Sequence, residues 1–363
     1  MPHSCGPWVG LLAFTFFVLT IPPTLAQDPD LSGTKQVKQD SLKAKNAYYK
    51  LYKDYIMVSP YLGLGNLNLD FRPNDGDQQQ SAQYSSNNNY RVGIGLSYND
   101  LAVFVGMGTS MTNYSTTIAP QSKYQDLSLS LISGGYVTRL SYRDYQGLLE
   151  ASDLQKAISS NSPLPFREEM AYRQYHLKSG YFFNHQKFDY NTIVNSAGQH
   201  LKSANSFNLE GGYDHYALSV GSSWVPKEKR DKYNSSIEDA RGYVVNSFVL
   251  APGWAGIWAG QHWFVMGKFN LGIRANVIEA IYVQNRNQVM TFDPDAGTRI
   301  CIGYNRPRWY LTMDAEAQTF ATTTADFMAY TTYSQVYYTL GFRFWTPRLG
   351  NLMRQLPVLR AFV

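Results

Sequence analysis

Segment after segment of this chain alternates apolar and polar side chains with a period of two, and the polar positions carry full charges in mid-segment. In Tyr90-Arg-Val-Gly-Ile-Gly-Leu-Ser-Tyr98, one face holds Tyr90, Val92, Ile94, Leu96 and Tyr98, and the other holds Arg91, Gly93, Gly95 and Ser97. Successive side chains of a strand point to opposite faces, so such a segment is a strand with one apolar wall and one small or polar wall. The pattern recurs. Leu127, Leu129 and Leu131 alternate with Asp126, Ser128 and Ser130, and Tyr175, Leu177 and Tyr181 with His176, Lys178 and Gly180. Val265, Phe269, Leu271 and Ile273 alternate with Lys268, Asn270 and Arg274, and Leu311, Met313 and Ala315 with Thr312, Asp314 and Glu316.

Strands can be placed near 55–71, 90–98, 101–109, 124–132, 136–146, 171–183, 187–196, 204–214, 243–257, 262–277, 297–304, 308–320 and 335–345. Tight turns such as Asn99-Asp100, Ser133-Gly134, Asn184-His185 and Ala259-Gly260 join some of them. Longer polar stretches, 72–89, 112–123, 148–169, 225–241 and 279–296, join the others. Short turns on one rim and long loops on the other mark an antiparallel up-and-down transmembrane β-barrel of the bacterial outer membrane. Such a barrel has an even strand number, so a further strand over 215–224 is expected, within a range of about 12–14 strands. The competing reading is a soluble secreted β-barrel binder whose apolar faces point inward. Three features favour lipid: charges in mid-strand, aromatic residues at the ends of many apolar faces, and a length of 363 residues with no domain boundary.

The remaining composition excludes other classes. Mean hydropathy is −0.32, which is not that of a helical membrane bundle. A net charge of +5, scattered along the chain, gives no footprint for nucleic acid. Two cysteines cannot staple a disulfide scaffold. The apolar run 11–21, followed by Thr24-Leu25-Ala26, has the form of a signal peptide over 1–26 that is cleaved after Ala26, although its first residues lack Lys and Arg. Pro22 and Pro23 end the run before the roughly 20 residues that a spanning helix needs. A polar, Lys-rich periplasmic leader, with a short helix capped by Ser41 and running through Tyr49, is expected over 27–54, the barrel over 55–345, and a C-terminal tail with a leucine-rich stripe over 346–363. Either flank could engage an envelope protein partner, and the barrel wall would meet outer-membrane lipid.

Several motifs, in order, resemble an uncharacterised family of predicted outer-membrane barrels from Bacteroidetes, known only as a domain of unknown function. They are the Tyr90–Tyr98 segment, Gln125-Asp-Leu-Ser-Leu129, Thr138-Arg-Leu-Ser-Tyr-Arg-Asp-Tyr-Gln-Gly147, and Tyr181-Phe-Phe-Asn-His-Gln-Lys-Phe-Asp-Tyr190. Lys202-Ser-Ala-Asn-Ser-Phe-Asn-Leu-Glu-Gly-Gly212, Leu250-Ala-Pro-Gly-Trp254 and Ile300-Cys-Ile-Gly-Tyr304 complete the series, which covers most of 55–345. The resemblance implies location and fold, and it carries no activity and no catalytic residues. The present chain departs from a usual barrel ending, because residues 346–363 follow the terminal Phe342-Arg-Phe-Trp345.

The expected lumen-lining residues are Arg91, Arg139, Arg143, Asp189, Glu210, Lys268, Arg274, Arg299, Asp314, Glu316 and Arg343. They could pair with one another and fill a narrow lumen, or line a pore selective for a small polar solute. Asp314 and Glu316 share a strand face, as a proton-sharing pair must, and His176 has inward serines at Ser128 and Ser130 on another strand. A barrel enzyme acting on lipid or envelope glycan would have to rest on these. No cofactor or metal is expected: H-x-x-H spacings are absent, Cys301 has no second cysteine once 1–26 is removed, and Gly93-Ile-Gly95 lies within a strand with no helix after it. The sequence-based expectation is a narrow pore or a structural or envelope-assembly barrel, not an enzyme.

Overall fold

The structure, a computed structural model, describes residues 47–73, 81–87, 90–109, 120–151, 163–221, 223, 240–282, 286–324 and 327–346. The expected signal peptide, leader residues 27–46, the tail beyond 346 and much of the longer connections lie outside the described residues. In chain order the elements are β1 (Tyr49–Leu51), β2 (Tyr55–Pro73), β3 (Ala82–Ser85), β4 (Tyr90–Tyr98), β5 (Leu101–Gly108), β6 (Lys123–Ser133), β7 (Tyr136–Glu150) and β8 (Phe166–Phe182). Then come α1 (Tyr190–Val194), β9 (Gly198–His200), β10 (Ala204–Ser219), β11 (Ala240–Ala259), β12 (Trp263–Tyr282), β13 (Arg286–Asn305), β14 (Trp309–Thr323) and β15 (Phe327–Trp345).

Thirteen strands form one antiparallel sheet, and the pairings β15–β2 and β7–β6 close it into a ring. Short β3 is the exception: it bridges β2 at 68–71 to β7 at Leu149 and Glu150, above the shorter strands β4, β5 and β6. The other twelve make an up-and-down barrel, an even number. Above β4–β6 the wall loses three strands and gains β3, so ten strands surround that end.

Several sequence expectations fail here. The leader helix expected to run through Tyr49 gives way there to β1, and the expected loop 72–89 holds β3. Residues 187–196 are not a strand. The Phe188/Tyr190 alternation belongs to a tight turn and to α1, whose N-cap is Asp189. Nor is 215–224 a separate strand, because β10 runs through to Ser219. The expected loop 279–296 is mostly strand, with β12 reaching Tyr282 and β13 starting at Arg286. Its polar residues Asp293 and Asp295 turn inward and find partners there, so their polarity did not mean exposure to water.

The polarity of the wall changes sign along single strands. On β2, Ile56, Val58, Leu62 and Leu64 face out, and beyond them Asn66, Asn68, Asp70 and Arg72 face out instead. The inner face changes the opposite way, from Ser59, Tyr61, Gly63 and Gly65 to Leu67, Leu69 and Phe71. β15 repeats this, with Phe344, Phe342, Leu340, Tyr338 and Val336 outside giving way to Ser334, Thr332 and Tyr330. On β10–β13, Phe207, Phe248, Leu250, Leu271, Ile273, Phe292 and Met290 are exposed, an apolar band that reaches past mid-strand. An apolar exterior of this extent needs lipid around it, whereas the loop-rim end has the polar exterior and apolar core of a water-soluble sandwich. On the β2–β15 side the barrel therefore meets lipid with its turn-rim half and extends out of it at the other end, whereas on β13 the apolar exterior continues to Met290.

Leu209→Arg, in the lipid-facing band, should cost about 2–4 kcal/mol of stability. Asn68→Arg, above the change of polarity, should cost under ~0.5 kcal/mol. Urea unfolding in lipid vesicles, followed by tryptophan fluorescence, measures both, and equal costs would remove the boundary.

Candidate functional site

The lumen is divided into three levels. At the loop rim a core of Leu67, Leu69, Phe71, Leu148, Met170, Val245 and Ile278 fills the ring. Beneath it runs a belt of inward tyrosines, one per neighbouring strand: Tyr124, Tyr145, Tyr172, Tyr216 and Tyr243. Consecutive ring centroids lie 4.7, 6.4, 6.1 and 6.3 Å apart, within the range of favourable aromatic pairs. At the turn rim, residues 183–203 fold back into the mouth as a plug. Phe188, Tyr190 and Ile193 of the plug pack on Ile132, Val137, Phe182, Ile257, Phe264 and Met266 of the wall.

Between these two cores lies a charged layer. Arg274 is fully buried and sits between two carboxylates, with Nη2 2.5 Å from Asp295 and Nη1 2.7 Å from Asp214. Asp214 also meets His176 Nδ1. Lys268 donates to Glu210 at 2.5 Å, and Arg299 is bidentate on Asp314 while donating to Tyr190 of the plug at 3.1 Å. Glu316 accepts from Gln335 at 3.0 Å and faces Arg139 at 3.8 Å. Arg143 donates to Gln174 at 3.3 Å and lies 3.9 Å over the Tyr333 ring. Arg91 donates to the hydroxyls of Tyr124, Tyr333 and Tyr145 at 3.0, 3.2 and 2.9 Å, with its guanidinium 3.7 Å from the Tyr124 ring centre. Gly65 makes room for it: a Cβ there would stand 2.5 Å from Arg91 Cζ.

Nine of the eleven sequence-derived site residues thus share this layer: Arg91, Arg139, Arg143, Glu210, Lys268, Arg274, Arg299, Asp314 and Glu316. Two do not. Arg343 sits at the turn rim and donates to the carbonyls of Ser196 (2.6 Å) and Arg306 (2.5 Å), clamping the end of the plug. Asp189 is not a mid-strand lumen charge. Its Oδ1 accepts from the Thr192 amide at 3.0 Å and caps α1. Asp314 and Glu316 do not share a proton, because each is turned to an arginine. Sequence reasoning missed Asp214, the last residue of the expected strand 204–214, where the alternation was not followed, and Asp293 and Asp295, which reading 279–296 as a loop removed from the inner face. An unbroken period of two through either segment would have found them.

The plug is held from several sides. Asn191 donates to Asn99 O (3.1 Å) and Asp100 (3.2 Å), and Asn305 donates to Gly198 O at 2.7 Å. β1, the end of the expected leader, pairs with β9 of the plug through Tyr49↔His200 and Leu51↔Gly198. Burial pushes the Asp189 carboxyl up to about 6, against the α1 amides that favour its charged form. What space remains in the lumen is small. A cavity of about 100 Å³ lies between residues 193–196 of the plug and Asp126, Arg139, Ser141, Arg299 and Glu316, and one of about 70 Å³ adjoins His176 and Lys268. Among the described residues no group of side chains is arranged to hold a metal ion.

The family described as "Domain of unknown function (DUF4421)" matches residues 38–344. A comparison with curated proteins finds no match. Among solved structures the chain is similar to the outer membrane protease OmpT from Escherichia coli, at 9% identity and a TM-score of 0.35, covering 81% of this chain and 98% of that one. It is also similar to OmpT of Vibrio cholerae (8%, 0.27, covering 80% and 100%) and to the Pseudomonas putida toluene transporter TodX (8%, 0.27, covering 81% and 90%). Likenesses this distant carry no argument about what the chain does.

Gly65→Ala should destabilise the barrel by about 1–3 kcal/mol, because its Cβ meets a guanidinium that has nowhere to move. The heat-modified gel shift of the folded barrel, followed against temperature, reads this out. Asp189 gives a pH dependence to the plug. Its pKa in place is above the unfolded 3.8, so its contribution is fully present below about pH 4 and lost as pH rises through about 6. His200, lowered by burial, acts in the opposite sense, so the comparison with Asp189→Asn isolates the carboxyl. Amide-exchange protection of α1, corrected for intrinsic rates, should fall between pH 5 and 7.5 more steeply in the wild type than in Asp189→Asn.

Proposed function

The chain belongs to that family of unknown function, and from its interior we propose that it is an integral outer-membrane β-barrel with a filled lumen, exported by a signal peptide in 1–26. It acts as a structural or assembly barrel of the envelope and not as an open pore. One observation carries the reading: Arg91, Arg143, Lys268, Arg274 and Arg299 are taken up by carboxylates, Gln174 and tyrosines, between two apolar cores that fill the ring at either end. A conducting pore needs a continuous wet path, with charges free to meet a solute. Here Arg274, Arg299 and Lys268 each hold a carboxylate instead.

A barrel without a path acts at its ends. At the turn rim the leader is tied to the plug through the β1–β9 pairing, next to a pocket of about 310 Å³ lined by Tyr49, Tyr52, Asp100, Phe182, Phe188 and Asp189. An envelope protein that takes hold of residues 27–54 would thereby be coupled to the plug. The lumen carboxylates Asp314 and Glu316 have no catalytic part in this reading.

The detergent-folded protein, inserted in a planar bilayer, should show no steady single-channel conductance in 1 M salt. Removal of residues 186–199 in a barrel that still folds should open measurable steps. Steady conductance of the intact chain would overturn the filled-lumen reading.

A further inference from the structure

The inner face of three adjacent strands carries Ser141 on β7, His176 on β8 and Asp214 on β10 in one row. Ser141 and His176 are cross-strand partners, and so are His176 and Asp214. Directly opposed residues of antiparallel strands have Cβ atoms about 4.5–5.5 Å apart, so the order nucleophile, base, carboxylate is fixed by register. Asp214 meets the Nδ1 side of the ring, which leaves Nε2 as the nitrogen available to a hydroxyl. Arg274 holds Asp214 in turn. Ser141 is 5% exposed, and its Oγ has no hydrogen-bond partner, so the Ser141–His176 hydrogen bond is not made in this structure and a side-chain rotation has to close it before reaction. It stands in the wall between the two lumen cavities and lines both, together with Arg139 and Arg143. Those arginines sit two residues to either side of it on the same strand face, about 6.8 Å away along the chain.

We propose that Ser141, His176 and Asp214 form a serine-nucleophile site for esters of short acyl groups, opening into the lumen cavity. The proposal goes beyond the filled-lumen reading: it requires no through-channel, but a small ester and water must pass the plug at the turn rim to reach the chamber. Ser141 Oγ attacks the ester carbonyl carbon while His176 Nε2 takes its proton. The tetrahedral oxyanion forms between Arg139 and Arg143, whose charge is already in place. The bond to the leaving alcohol breaks, and the alcohol takes the proton from His176. Water, deprotonated by His176, then attacks the acyl-serine, and the carboxylic acid leaves as the proton returns to Ser141. The sum is ester plus water giving acid plus alcohol. Ser141 and His176 are the catalytic residues, and Asp214 is a positioning residue that fixes the imidazole. Size sets the substrate class. An apolar cavity of about 150 Å³ takes benzene, so the one of about 70 Å³ that Ser141 and His176 both line takes an acetyl group and not a fatty-acyl chain.

The test is sulfonylation of the full, detergent-folded chain by methanesulfonyl fluoride, with the adduct located by peptide mass spectrometry. A single adduct on Ser141 is expected, absent from Ser141→Ala. In His176→Gln its formation should be slower by about 10²-fold or more, the usual contribution of a general base. Methanesulfonyl fluoride should also outpace hexanesulfonyl fluoride by at least about tenfold, as a chamber of this size requires. No adduct on Ser141, or one that forms equally fast in His176→Gln, would overturn the site, and faster reaction of the longer reagent would overturn the short-acyl assignment. Heat-modified gel migration checks that each variant folds. If His176→Gln does not fold, wild type against Ser141→Ala decides alone.

Discussion

A charge inside a barrel that is itself surrounded by lipid has little water to fall back on, and the rest of this structure follows from that. Transferring an unpaired ion into such a place costs several kcal/mol even after relaxation. The inward arginines and Lys268 therefore turn to carboxylates, to the Gln174 carboxamide or to tyrosines. Arg274 takes two carboxylates, Arg299 one and a plug tyrosine, and Arg91 three tyrosine hydroxyls and a ring face. These partners come from different strands, so the charged layer ties the wall across the lumen as well as around it. The glycines on its inner face, Gly65 above all, are the room that the long cationic side chains occupy.

The change of polarity along β2 and β15 gives one set of strands two solvents. In the membrane half, apolar side chains face lipid and charges face in. Beyond it the same strands bury apolar residues and show polar ones to water. The composition fits this division. With 28 tyrosines, the chain can place amphipathic rings both on the outer surface and in the internal belt where the charged layer meets the apolar core.

Much of the wall was legible in the sequence, because a period of two with one charged face has few other solutions. The inward set on β4, β8, β12, β14 and β15 can be read from alternation alone. What alternation could not give was the direction of the plug. Phe188, Asp189 and Tyr190 alternate as a strand would, but the capping bond that the Thr192 amide donates to Asp189, a local competitor of the sheet, starts a helix at Tyr190. Polarity also misled at 279–296, where acidic residues face arginine and asparagine and not water. The site suffered the same way. His176 was visible as an inward histidine, but its partners Ser141 and Asp214 depend on strand register, which no single segment contains.

The seam between β2 and β15 joins the first and last strands of the ring through a long run of register pairs, from Phe327↔Pro73 to Trp345↔Tyr55. Its two sides are separated by nearly the whole length of the wall, so closing it carries the largest loop entropy of any pairing in the molecule. The plug comes from the middle of the chain, between β8 and β10, and lies inside the finished ring. Insertion of the plug and closure of the wall are therefore ordered events: a plug still outside when the seam zips would have to re-enter through the turn-rim mouth. The chain is threaded like a bottle whose cork is set before the glass is sealed.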